Sequence, residues 1–93
     1  MIFDVASPTQ PKTIVDLSDS GRVAIFQIQN TGHKSFYVKF KETGPLLKLK
    51  PGADPVSLNI DWKLMIYPIS FSHMKGWYKY IGDAEMPETQ AIE

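Results

Sequence analysis

The sequence is governed by a rhythm of short apolar runs cut by turn residues. From residue 12 to residue 81 no apolar stripe at helical spacing lasts three turns. Instead the chain breaks about every ten residues at Gly, Pro, Asn or Asp, and the stretches between are rich in Val, Ile, Phe, Tyr and Trp. Seven runs emerge, at 12–17, 22–29, 35–41, 46–50, 56–61, 62–69 and 76–81. Parallel pairing would need crossovers of about a dozen residues or more, and the intervening segments are too short for that. The expected fold is all-β, an antiparallel β-sandwich, immunoglobulin-like or a related barrel, of about seven short strands.

Alternation within the runs assigns faces. Phe36, Val38 and Phe40 point one way, with Tyr37, Lys39 and Lys41 opposite; Leu47 and Leu49 point inward, with Lys48 and Lys50 outward. Residues 22–29 are apolar on both sides over their first half, which suggests a central strand. Trp62, Phe36, Phe40 and Phe26 read as core. Residues 71–75 read as a loop, and Pro51-Gly52-Ala53-Asp54-Pro55 is the strongest turn.

The 93 residues suffice for one domain. Residues 12–82 form the expected sandwich. Residues 1–11 read as an N-terminal arm, because Pro8 and Pro11 interrupt any ladder. Residues 83–93 read as an acidic C-terminal tail. Formal net charge is zero, but residues 5–82 hold all ten cations against five acids, so a mildly basic body stands beside acidic ends. That balance, with a single arginine, argues against a nucleic-acid partner. The first residues do not read as a signal peptide, and no apolar run is long enough to span a bilayer as a helix.

Reacting groups are sparse. The absence of cysteine removes thiolate metal sites, disulfides and a cysteine nucleophile. His33 and His73 lie in expected turns, with no carboxylate or second histidine at metal-ligand spacing. Gly32, Gly44 and Gly52 are isolated turn glycines, and Asp54 sits in the proline turn rather than paired with Asp61. The expectation is a non-enzyme with no catalytic residue, cofactor or metal.

What remains is contact surface. Ile2, Phe3 and Val5 could dock the arm on a neighbour. Lys39, Lys41, Lys48 and Lys50 would share one face if the third and fourth runs are neighbours, with Tyr37 beside them. Such a face is either simply solvated or recognises an acidic protein, or, with an aromatic beside it, single-stranded nucleic acid. Trp77, Tyr78 and Tyr80 alternate across the last run, so some must face outward, and exposed Trp and Tyr are enriched at interfaces.

The order of features over residues 22–84 resembles small β-sandwich virion proteins of tailed bacteriophages. The carrying elements are Phe26-Gln27-Ile28-Gln29-Asn30-Thr31-Gly32, Phe36-Tyr37-Val38-Lys39-Phe40, Leu47-Lys48-Leu49-Lys50-Pro51-Gly52, the strand before Trp62, and Trp77-Tyr78-Lys79-Tyr80-Ile81-Gly82. The turn elements are also similar to those of immunoglobulin-like and major-sperm-protein-like domains. Lysine-rich segments stand here where the phage proteins have small polar or alanine-rich ones. The resemblance implies a decoration protein of the capsid or a small head- or tail-associated protein, assembled in the host cytoplasm into the virion. It implies other virion proteins as partners, many copies or a homo-oligomer, and no catalytic residues. The competing expectations are a stand-alone immunoglobulin-like interaction domain and a barrel binding single-stranded nucleic acid.

Overall fold

The structure, a computed structural model, describes residues 1–84. These contain no helix and form eight strands: β1 (Ile2–Val5), β2 (Lys12–Asp16), β3 (Ala24–Asn30), β4 (Phe36–Lys39), β5 (Leu47–Leu49), β6 (Val56–Ile60), β7 (Lys63–Tyr67) and β8 (Met74–Asp83). They build two antiparallel four-stranded sheets, ordered β1-β8-β3-β6 and β2-β7-β4-β5. The fold is the expected β-sandwich, with one strand more than the sequence pattern indicates.

The extra strand is β1. It pairs with the first half of β8, from Ile2 opposite Trp77 to Val5 opposite Met74. Met1 extends the ladder by exchanging backbone bonds with Tyr78. Pro8 and Pro11 lie beyond this strand, in the segment that carries the chain across to β2, so they bound the ladder rather than interrupt it. Phe3 is buried in the chain's own core, edge-on to Phe36 with ring centroids 5.7 Å apart. The room for that ring comes from Gly76 on β8. A Cβ there would meet the Gln29 backbone carbonyl and come within 2.7 Å of the Phe3 ring, so only glycine fits.

The core lies between the sheets. Ala24, Phe26 and Ile28 of β3 and Leu58 and Ile60 of β6 face Phe36 and Val38 of β4 and Leu64 and Ile66 of β7. β3 is central in its sheet, as its two-sided apolar character requires. Met74, within the expected loop 71–75, instead opens β8 and is fully buried. Leu47 lies opposite the inward Val38 yet remains 37% exposed at the start of the three-residue edge strand β5, while Leu49 at its end is buried in the core.

The Asn-Thr-Gly turn is explained by Asn30, the buried polar residue at the end of β3. Its Nδ2 donates to the carbonyls of Lys34 (2.8 Å) and Leu49 (2.9 Å), and its Oδ1 accepts from the Gly32 N–H (2.9 Å). One amide thus closes the β3–β4 turn and ties it to β5 in the opposite sheet. Gly52 takes a φ of 79° in the following turn, a conformation that suits glycine.

Candidate functional site

The outer face of the β2-β7-β4-β5 sheet gathers a group of lysine and aromatic side chains. Register sets its rows. Tyr37 of β4 stands between Lys48 of β5 and Tyr67 of β7, and Lys39 stands beside Met65. Alternation turns these outward, because Val38, Leu64 and Ile66 between them face the core. Lys63 opens β7 on the same face, opposite Asp16 of β2.

Trp62 completes the group and corrects its assignment to the core. It is only half-buried, and the ammonium groups of Lys39 and Lys63 lie 5.2 and 5.4 Å from its ring centre. Extending the β6 alternation to position 62 places it inward. The chain bends at Asp61 and Trp62 as it passes from one sheet to the other, and the phase is lost there. Lys41 and Lys50 lie just past the ends of β4 and β5 and outside the paired register, so only Lys39 and Lys48 of the four expected lysines sit in the rows. Lys63, Met65, Tyr67 and Trp62 are the members that sequence reasoning missed.

Among the described residues, the ion pairs are Arg22 with Asp83 and His73 with Asp4, so no carboxylate lies within 4 Å of Lys39, Lys48 or Lys63. Asp16, the acid at the corner of this face, accepts hydrogen bonds from Ser18 and also feels the Lys63 charge opposite it. The Ser18 hydroxyl (2.6 Å) and then its N–H (3.0 Å) hold the Asp16 carboxyl below the usual carboxylate range.

The remaining expected contact residues are scattered on and around the other sheet. Ile2 is 80% exposed on the β1 edge, Phe3 is in the core, and Val5 is half-buried against it. Trp77 faces outward, its indole N–H donating to Gln29 Oε1 at 2.8 Å. Tyr78 turns inward against Phe3 and Phe26, its hydroxyl donating to the Ile14 carbonyl at 3.2 Å. Tyr80 is half exposed and belongs to a polar clasp with Asp83 and Arg22. In that clasp the Arg22 guanidinium (2.5 Å), and next the Tyr80 hydroxyl (2.8 Å), hold the Asp83 carboxyl low. The same carboxylate raises both Arg22 and Tyr80. Asp83 and Ala84 therefore join the sandwich, Ala84 donating to the Val23 carbonyl, while 85–93 of the expected tail lie outside the described residues.

A mostly apolar groove of about 340 Å³ opens between β2 and the second half of β8, lined by Met1, Ile14, Val15, Phe26, Tyr78 and Tyr80 together with Lys79. A smaller cleft of about 160 Å³ lies beside Asn30, Leu49 and Ala53. Phe71, 64% exposed with a φ of 64°, projects from the β7–β8 connection. Among the described residues no group of three His, Asp or Glu side chains is placed to hold a metal ion, and no helix is long and apolar enough to cross a membrane. Compared with known proteins, the chain matches no family model, no curated protein and no solved structure.

Proposed function

We propose that this chain is a non-enzymatic structural protein of a tailed-phage virion. In this reading it is a capsid decoration protein or a small head- or tail-associated protein that binds a repetitive protein surface in many copies. The observation that carries the reading is the layout of the exposed side chains. A stiff sandwich presents a lysine–aromatic face on one sheet and an apolar edge, Met1 and Ile2, on the other. Flat, separated surfaces of this kind suit contact with large partners better than enclosure of a small substrate. The motif order from Phe26 to Gly82 supports the phage assignment by resemblance.

Repetition supplies the energetic logic. A small module makes modest individual contacts, and symmetric multiplication on a lattice converts them into net stabilisation of the assembly. The test is mass spectrometry of virions purified from a lysate of the phage that carries the gene. The expected result is this chain in the particle fraction, at a copy number set by particle symmetry. Its confinement to the soluble fraction, as a monomer, would overturn the reading.

A further inference from the structure

We propose that the outer face of the β2-β7-β4-β5 sheet docks an extended acidic polypeptide segment of a partner protein, its carboxylates meeting Lys39, Lys48 and Lys63. The inference rests on the protein-binding part of the reading above, and it names the surface and the chemistry of the partner.

Charge complementarity is the first argument. Three cations stand on one face with no carboxylate within 4 Å among the described residues; Asp16, hydrogen-bonded to Ser18 at the corner and opposite Lys63, offsets only one of them. The face therefore keeps a net positive charge, and an incoming carboxylate displaces no salt bridge among the described residues. The neighbours of the lysines make the second argument. Tyr37 and Tyr67 pair directly across β4 and β7, with Met65 beside Lys39. Half-buried Tyr offers apolar contact at small entropic cost, Met adapts its shape to a partner, and both are enriched at protein interfaces.

The same geometry selects polypeptide over single-stranded nucleic acid. Base recognition on such a face needs open aromatic planes for stacking. Trp62, the largest ring here, has the ammonium groups of Lys39 and Lys63 drawn over it. The single arginine, the side chain best suited to phosphate, is committed to Asp83 and Tyr80 at the opposite sheet. The docking mode is face-on rather than strand addition. The adjoining edge, β5, has only three residues and carries Lys48 at its centre, which blunts it as a template for pairing.

The test is amide and indole NMR of the full chain, titrated with a short peptide of alternating glutamate and serine. An oligothymidylate of equal charge runs in parallel. The peptide is expected to shift residues 37–39, 48 and 63–67 and the Trp62 indole, leaving the Trp77 indole unmoved. The Lys39→Gln/Lys63→Gln variant should bind about tenfold more weakly or worse. Lys75→Gln/Lys79→Gln, which alters the other sheet, should bind as the unaltered chain does. Tighter binding of the oligothymidylate at this face, shifts spread over both sheets, or full affinity in the Lys39/Lys63 variant would each overturn the proposal. Peptide docking with no chain in the virions removes the phage reading alone. Virion incorporation with no docking removes this inference alone.

Discussion

Each outer face of the sandwich carries one tryptophan, and the two are held in different ways. Trp77, on the β1-β8-β3-β6 sheet, is fixed by a directional hydrogen bond to Gln29, with the Lys79 ammonium 6.0 Å from its ring. Its neighbours in register are Gln29 on β3 and Ile2 on β1, with Lys75 and Lys79 two residues to either side along β8. Trp62, on the other sheet, lies under the ammonium groups of Lys39 and Lys63; neither makes a salt bridge among the described residues, and Asp16 stands across from Lys63 on β2. The first ring is locked by its hydrogen bond. The second leaves a net field available to a partner. Similar residue types on equally pleated surfaces thus give one settled face and one receptive face.

The largest effect that would break this comparison removes the support of the settled face. Gly76→Ala drives a methyl into the Gln29 carbonyl and the Phe3 ring, so β1 should detach, at a cost of about 3 kcal/mol or more in urea unfolding. Asn30→Ala comes next. It orphans the Lys34 and Leu49 carbonyls and the Gly32 N–H, and should cost about 2–3 kcal/mol while loosening β5, where Lys48 stands. Amide exchange should quicken around residues 32–35 and 47–49.

The tryptophans themselves sharpen the contrast. Trp77→Phe loses a part-buried hydrogen bond and should cost about 1 kcal/mol. Trp62→Phe keeps an aromatic ring under the lysines and should cost about 0.5 kcal/mol or less in stability. Equal costs for the two would remove the distinction between a locked and a receptive face.

The smallest effect is in acid. Asp83 is held below its ordinary value by Arg22 and Tyr80, so its contribution to stability is complete above the unfolded carboxylate pKa of about 3.9. That contribution is lost as pH falls through the lower folded value. Asp83→Asn should lower stability slightly at neutral pH and flatten this acid limb, and Arg22→Gln should do the same, both read by urea unfolding as a function of pH. Asp16 should show the same sign through Ser18, on the other sheet.

Much of the sandwich was legible because burial on one side of a strand imposes a two-residue period. Phe36-Tyr37-Val38-Lys39 and Val56-Ser57-Leu58-Asn59-Ile60 display it, and the structure orients them accordingly. β1 was less legible, since its ladder depends on Gly76, far along the chain, leaving space for Phe3. Of the receptive face, Tyr37, Lys39 and Lys48 were readable from alternation, whereas Lys63, Tyr67 and Trp62 were not. Their place follows from β4 lying beside β7, a pairing that no local pattern encodes.

The amino-acid order by itself determined the strand character, the turns and the inward side of most strands, because pleat and burial are local and periodic. Tertiary structure alone decided which strands became neighbours, that the first residues close an edge, and which lysines surround Trp62. Those outcomes depend on contacts between residues distant in sequence, and on bends such as Asp61-Trp62 where the alternation loses phase.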